Sequence, residues 1–231
     1  MVVAAAPQTI QSASIVEAVF HRDIFCAKCH LMAARLEDAL RRLGPCLRWR
    51  IRPYPSTSLS HSPKPQEIEH VVRLIERLRR EPDAPTMSAN LWTGELPPGP
   101  RLEAMAAVEA ASFQGPRYGR LMDHRLRLAI FEMGLDANRR EVLMDVAGQL
   151  SSLGLDLARF EKDLLGATEE QWKDRILDRR NEAVCQGVKE APALVLEQKV
   201  LPGVFKTSFL MEEILDSLVA SIKEGSRVPA A

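Results

Sequence analysis

The segment FCAKCH, residues 25–30, holds two cysteines at a spacing that supports chemistry. Cys26 and Cys29 form a CxxC pair, which is typical of thiol–disulfide exchange, whereas the same residues extended to His30 match the CxxCH pattern that attaches a c-type haem. A zinc site needs four ligands, and the chain has no second pair of this spacing. Two unpaired cysteines in a hydrophobic core are the remaining interpretation. The hexapeptide by itself leaves these alternatives open.

The position of the pair in the chain favours exchange. Apolar residues recur at helical spacing over residues 29–43, and Gly44-Pro45 ends the pattern. Cys26 therefore lies where a helix begins, and the unpaired backbone N–H groups and the dipole at a helix N-terminus favour a thiolate. Cys29 follows one turn later and can attack a mixed disulfide formed at Cys26. A c-type haem protein would instead need an exported chain and a haem-wrapping fold.

The surrounding pattern predicts strands at both ends of the chain and helices in the centre. Apolar residues over 14–20 predict a strand before the dithiol, and alternating apolar and arginine residues over 47–52 predict another after the first helix. Strand signals return at 193–197 and 200–205, with Gln198-Lys199 as a two-residue turn. The predicted helices between and after these strands are 66–80, 101–113, 117–133, 138–153, 157–165, 168–187 with a Thr168–Gln171 capping box, and a last one that includes 209–222.

Pro192 directly precedes the third predicted strand. Proline lacks a backbone donor, so it is found at the first residue of a strand, at an edge or at a bulge. X–Pro bonds are also where cis peptides occur, although the trans form is commoner. A cis Ala191–Pro192 bond would turn the Ala191 backbone outward.

The composition excludes several classes of function. The 231 residues can bury a large core without disulfide staples, and four cysteines with two of them isolated do not form a disulfide framework. Lys and Arg total 31, as do Asp and Glu, so no excess of positive charge indicates binding to nucleic acid or to a membrane surface. No apolar run approaches the roughly 18–20 residues of a membrane-spanning helix. Because the first residues lack the basic start of a secretory signal, we expect a cytoplasmic protein.

Several segments resemble the DsbA-like family of thioredoxin-fold proteins, and in particular its cytoplasmic FrnE-type branch. VEAVFHRDIFCAKCHLMAARLEDAL resembles the opening of that family, and LWTGELPPGP, AMAAVEAASFQG and EVLMDVAGQLSSLGLDLARFEKDL resemble its helical insertion. GVKEAPALVL follows in the expected order. The resemblance covers residues 14–222 of the chain.

The resemblance implies an α/β protein, a thioredoxin fold with an inserted α-helical domain. Cys26 would be the attacking thiol and Cys29 the resolving one. Pro192 matches the family's cis-proline, whose preceding residue, here Ala191, would bind an extended substrate peptide through its backbone. The implied partners are protein or peptide thiols and disulfides, with no cofactor and no metal. The implied division is 14–80 and 168–224 for the thioredoxin-like domain, 90–167 for the insertion, and 1–13 and 225–231 for flexible termini.

The chain departs from the family pattern beside both site segments. Members often have proline after the first cysteine and an aromatic residue or histidine before the second, where this chain has Ala27 and Lys28. Because this dipeptide tunes thiolate stability, it leaves the redox potential and the direction of exchange open. Ala191 also lacks the hydroxyl or branched side chain often found before the cis-proline. Related members without the dithiol act on glutathione conjugates or as isomerases. A glutathione-linked transferase or isomerase, a c-type haem protein and a non-catalytic binding module therefore stay as alternatives.

Three other residues receive a plainer interpretation. His30 is expected to be a packed or solvated helix residue rather than a catalyst. Cys46 and Cys185 are expected to be small buried residues, because isolated cysteines usually pack as hydrophobic side chains. A second disulfide between them would require that they lie close together.

Overall fold

A four-stranded mixed sheet forms the centre of the computed structural model, which describes residues 16–44, 47–95 and 98–225. β1 runs parallel to β2 and antiparallel to β3, which is antiparallel to β4. The spatial order is β2-β1-β3-β4. The strands are β1 (Val16–Arg22), β2 (Leu47–Pro53), β3 (Ala193–Leu196) and β4 (Lys199–Pro202).

Nine helices occur within these described ranges. They are α1 (Ala27–Leu43), α2 (Pro65–Leu78), α3 (Asn90–Thr93), α4 (Leu102–Ser112), α5 (Pro116–Phe131), α6 (Arg140–Ser151), α7 (Leu157–Leu165), α8 (Glu169–Cys185) and α9 (Thr207–Gly225). Each predicted helix is present to within a few residues, whereas the single turn α3 was not predicted because four residues carry no periodicity. None of the helices in this part of the chain is both long and apolar enough to cross a membrane.

Both faces of the sheet are covered by helices. Val16, Ala18 and Phe20 of β1 pack with α1 and α9 in the main core. The opposite face carries a smaller apolar cluster in which Val195 of β3 meets Ala183 of α8. β3 is buried on both faces, which explains its continuous apolar sequence ALVL. The sheet order, the flanking helices and the helical run α3–α7 between them confirm the predicted thioredoxin fold with an α-helical insertion.

The hairpin between β3 and β4 differs from the predicted one by one residue. Leu196 pairs with Lys199, so the turn residues are Glu197 and Gln198 rather than Gln198 and Lys199. Glu197 has a φ of 52°, the left-handed conformation that tight hairpins use. Its N–H donates to the Glu17 carbonyl at 2.9 Å, and its carboxylate accepts from the Glu17 N–H at 2.8 Å. These bonds to β1 hold a turn that local propensity does not predict.

Candidate active site

Cys26 is the N-cap residue of α1, directly after the loop that leaves β1. Its backbone is extended, and its sulfur accepts a hydrogen bond from the Cys29 N–H at 3.4 Å. The Cys26 carbonyl accepts from the His30 N–H at 3.0 Å, so the helix begins on this residue. A sulfur thus occupies the place where N-caps usually have a side-chain oxygen. The N–H groups that a helix leaves unpaired at its first turn are directed at the Cys26 sulfur.

The two thiols lie in different environments. Cys26 is partly exposed and Cys29 is fully buried, and both are free cysteines. A hydrogen bond from the Cys29 thiol lowers the pKa of Cys26, with help from the backbone N–H groups of Cys29 and Lys28, against the opposing effects of burial and of Asp23. Burial raises the pKa of Cys29 well above its ordinary value, and the hydrogen bond to Cys26 adds to this. The arrangement therefore favours a thiolate at Cys26 and a thiol at Cys29.

A cavity of about 400 Å³ opens beside Cys26. Its apolar walls include Phe25, Val71 and Leu74, and Ala191 reaches it from the loop before β3. The remaining lining residues are Asp23, Ala27, Lys28, Ser56, Thr57, Pro63, Gln66, Glu67, His70, Trp92, Pro98, Gly99 and Arg101. This size and this mostly apolar character are typical of sites that bind small molecules or short peptide segments.

The structure brings Cys26, Ala27, Lys28 and Ala191 to this one cavity from segments that are far apart in sequence. The Ala191–Pro192 bond is cis, as the resemblance implies. Pro192 is buried, and its carbonyl accepts from the Gly203 N–H at 2.8 Å. Within the described residues, neither backbone polar group of Ala191 has a hydrogen-bond partner. The Ala191 backbone is thus available to a ligand in the cavity.

Asp23 fixes the turn that carries Cys26. The buried carboxylate of Asp23 accepts hydrogen bonds from the Phe25 N–H at 3.0 Å and from the Ser56 N–H at 2.9 Å. Arg101, at the start of α4, forms an ion pair with the same carboxylate. The guanidinium carbon of Arg101 also lies 5.9 Å from the centroid of the Phe25 ring. A residue of the helical insertion is therefore part of the wall beside the CxxC pair.

A buried group of charges lies on the other side of Cys29. Asp123 of α5 pairs with Arg22 at the end of β1 and accepts from Arg127 Nε at 2.9 Å. Arg127 Nη2 also donates to Glu37 on α1 at 2.6 Å. Burial lowers the pKa of Arg22 to about 9, with a further contribution from Arg127, so the Arg22 guanidinium stays charged at neutral pH. Burial also lowers the pKa of Arg127, against the opposing effect of Glu37. We call Arg22, Asp123 and Arg127 the ionic floor.

His30 is packed against this ionic floor rather than exposed. Its Nε2 lies 3.3 Å from the Thr86 carbonyl, and its Nδ1 lies 3.2 Å from Arg127 Nη1. Its ring stacks on Phe131 with 4.6 Å between centroids. Burial lowers the pKa of His30 to about 3, and the charge of Arg127 acts in the same direction. Because both ring nitrogens have protein partners, His30 is not available as an axial ligand, which argues against the c-type haem alternative.

The predictions for the two isolated cysteines and for a metal site have different outcomes. Cys185 is exposed at the end of α8, so the expectation that it is buried is wrong. It is the last residue of that helix, and both residues that flank it in sequence are exposed as well. Cys46 lies outside the described residues. Among those residues, no cluster of three or more His, Cys, Asp or Glu side chains could hold a metal ion.

Sequence reasoning missed the charged residues on both sides of the dithiol. Asp23 pairs with a residue 78 positions away, and no local pattern indicates this. Asp123 and Arg127 did carry a signal, because they are spaced four residues apart among apolar residues of one helix. A buried charge in such a stripe usually has a buried partner.

Comparisons with known proteins agree with this description of the fold. No protein-family model matches the chain, and no curated protein matches it by sequence. A putative protein disulfide isomerase from Nitrosomonas europaea matches with a TM-score of 0.71 and 16% identity, over 90% of this chain and 98% of that one. The cytosolic disulfide reductase DsbM from Pseudomonas aeruginosa, also solved with GSH, matches with a TM-score of 0.65 and 17% identity, over 92% of this chain and 100% of its own. A probable DsbA oxidoreductase from Streptomyces coelicolor matches with a TM-score of 0.62 and 19% identity, over 94% and 93% of the two chains. The chain has the DsbA-like thioredoxin fold.

Proposed function

We propose that this protein is a thiol–disulfide oxidoreductase that uses Cys26 as the nucleophile and Cys29 as the resolving thiol. The observation that carries the proposal is the difference between the two thiols. Cys26 borders a cavity at a helix N-terminus and has a lowered pKa, while Cys29 is buried behind it with a raised pKa. A binding module without catalysis would have no need for this difference.

The proposed exchange has two steps. The Cys26 thiolate attacks one sulfur of a substrate disulfide, forms a mixed disulfide and expels the other sulfur as a thiolate. Cys29 then loses its proton and attacks Cys26, which breaks the mixed disulfide and releases the second substrate sulfur as a thiolate. One released thiolate takes up the Cys29 proton. Two electrons have then passed from the dithiol to the substrate, and the reverse sequence oxidises a substrate dithiol.

The substrate is proposed to be a peptide or protein disulfide whose backbone pairs with Ala191. Two observations support this. The Ala191 backbone has no partner within the described chain, and Ala191 and Cys26 line the same cavity. An extended peptide could therefore hydrogen-bond Ala191 while its disulfide lies against the Cys26 sulfur. We propose a cytoplasmic location, which is supported by the likeness to a reductase described as cytosolic.

Glutathione is a second candidate substrate. A structural relative with 18% identity has been solved with GSH. The cavity has the volume for a tripeptide, and Lys28 and Arg101 in its lining could attract the carboxylates of glutathione. A glutathione adduct at Cys26 after treatment with oxidised glutathione would support this candidate. If no adduct forms while exchange on longer peptide disulfides is intact, glutathione is excluded and the substrates are longer peptides or proteins.

The test compares single cysteine variants in an insulin reduction assay. Cys26→Ser should abolish exchange because it removes the nucleophile. Cys29→Ser should accumulate a mixed disulfide at Cys26, because no thiol is left to resolve it. Cys185→Ser is the matched control and should retain exchange, since Cys185 is exposed and is not among the residues that line the cavity. Full activity of Cys26→Ser would overturn the proposal.

A further inference from the structure

The helical insertion contributes one cation to the wall beside the CxxC pair. We propose that Arg101 is a positioning residue for the active site, which pairs with Asp23 and cancels the negative charge of that carboxylate at the Cys26 sulfur. The inference rests on the proposed function, because it concerns the reactivity of Cys26. The dithiol lies in the thioredoxin-like part of the chain, whereas Arg101 lies in the helical insertion. The insertion would therefore influence the reactivity of the dithiol.

The geometry around Asp23 supports this role. The carboxylate is fully buried, and Arg101 Nη1 donates to the oxygen that also accepts from the Ser56 N–H. The backbone N–H of Cys26 donates to the Asp23 carbonyl at 3.2 Å, so the carboxylate and the reactive sulfur belong to the same tight turn. Only 14% of the Arg101 side chain is exposed. The ion pair is thus largely shielded from water. Charges interact more strongly in such an environment than they do at the surface.

The pKa directions agree with the geometry. The negative charge of Asp23 raises the pKa of Cys26 and that of Cys29, while a hydrogen bond with the Asp23 backbone lowers the pKa of Cys29. Other charged or titratable groups near Cys26 are Arg22 from β1 and Cys29 on α1, which interact with it electrostatically, and Lys28, Glu67 and His70, which line the same cavity. Of these, Glu67 is already engaged, since its carboxylate accepts from the Lys64 N–H at 2.7 Å. Arg101 is the cation that contacts Asp23 directly.

The experiment measures the rate of iodoacetamide reaction at Cys26 as a function of pH in four proteins. They are the wild type, Arg101→Gln, Asp23→Asn and the double variant. Arg101→Gln leaves Asp23 unpaired and should slow the reaction near pH 6 by about three- to tenfold, because the apparent pKa of Cys26 rises. Asp23→Asn should accelerate it by a similar factor. The double variant should return close to the wild-type profile, because both charges are gone.

Two further proteins separate this role from a loss of structure. Arg101→Lys keeps the charge and should keep most of the wild-type profile, even if Arg101→Gln does not fold. Arg120→Gln is the matched control, because Arg120 also joins the insertion to the sheet, through the Trp49 carbonyl at 2.7 Å, but does not line the cavity. It should leave the profile unchanged. Identical profiles for the wild type, Asp23→Asn and the double variant would overturn the inference. A wild-type Cys26 without a depressed pKa would instead overturn the proposed function.

Discussion

Cys26 and Cys29 lie three residues apart at the start of α1, yet one borders a cavity and the other borders the ionic floor. On the cavity side, Asp23 and Arg101 form one ion pair that reaches the lining. On the buried side, one carboxylate, Asp123, pairs with two guanidiniums. The two cysteines of one short motif therefore have different surroundings, and their thiols have different pKa values. Hydrogen bonds at the helix N-terminus favour the thiolate at the partly exposed sulfur, while burial favours the protonated thiol at the other.

The two sides also differ in what they contribute to stability. The ionic floor joins β1 to α5 and has no access to water, so each of its charges depends on the others. The cavity side opens to solvent beside the Cys26 sulfur. Changes in the ionic floor should therefore act mainly on folding, and changes beside the cavity mainly on reactivity.

The largest expected effect is the loss of Asp123. Asp123→Ala leaves Arg22 and Arg127 buried without their shared carboxylate, which should lower the free energy of unfolding by about 3–5 kcal/mol. Urea denaturation of the reduced protein measures it. Asp38→Ala is the control, because Asp38 also pairs with two arginines, Arg41 and Arg42, but at the surface. Its cost should stay below about 1 kcal/mol. Equal costs for the two variants would refute a distinct role for burial.

The second prediction concerns the reactivity of the two thiols in the folded wild type. Iodoacetamide should label Cys26 at least about a hundredfold faster than Cys29, because the Cys29 sulfur reacts only after local opening. Trypsin cleaves after Lys28, so the two cysteines fall on separate peptides, DIFCAK and CHLMAAR, that mass spectrometry can quantify. Labelling in denaturant provides the reference in which both thiols are accessible. Comparable native rates would contradict the asymmetry.

The third prediction is a dependence of stability on pH from two buried histidines. Burial lowers the pKa of His21 to about 4 and that of His30 to about 3, against an unfolded value near 6.5. The unfolded chain binds more protons between these values, so stability should fall as pH drops below about 6.5, by at most about 1.4 kcal/mol per pH unit for each histidine. Urea denaturation between pH 8 and pH 5 measures this slope.

Substitution of each histidine by leucine measures how much that histidine contributes to the dependence of stability on pH. Both ring nitrogens of His21 lack partners within the described residues, so His21→Leu should reduce the slope with little loss of stability at pH 8. His30→Leu should reduce the slope too, but it should also cost about 1–3 kcal/mol at pH 8, because the Thr86 carbonyl and Arg127 lose a partner. An unchanged slope in both variants would show that other groups control the pH dependence.

The smallest expected effect is that of the Lys28 side chain. The sequence predicts that Ala27 and Lys28 tune the stability of the thiolate. In the structure the Lys28 backbone N–H is the part of Lys28 that acts on the Cys26 sulfur, and the Lys28 side chain is exposed. Lys28→Ala keeps this N–H, so the alkylation profile of Cys26 should move by less than about threefold. A larger shift would show that the Lys28 ammonium affects the stability of the Cys26 thiolate.

Most of the fold could be predicted because its signals are local. The apolar spacing of α1, the capping box at Thr168 and the unbroken apolar run of β3 each depend on neighbouring residues. The hairpin turn was misassigned because Glu197 takes its left-handed conformation through hydrogen bonds to Glu17, which is distant in the chain. The expected burial of Cys185 was wrong because an isolated cysteine carries no information on which face of a helix it occupies. The division into domains stays a prediction.

The sequence by itself predicted a thiol–disulfide chemistry, because CxxC at a helix start depends on residues within a single turn. It also indicated Ala191 and Pro192, since a proline before a strand is visible locally. The tertiary structure alone decided that Ala191 borders the same cavity as Cys26, and that Arg101 and Asp123 come from the insertion to the two sides of the dithiol. The physical reason is that charge pairing and burial act through space. Residues 78 positions apart can therefore share one hydrogen bond without leaving a trace in the local pattern.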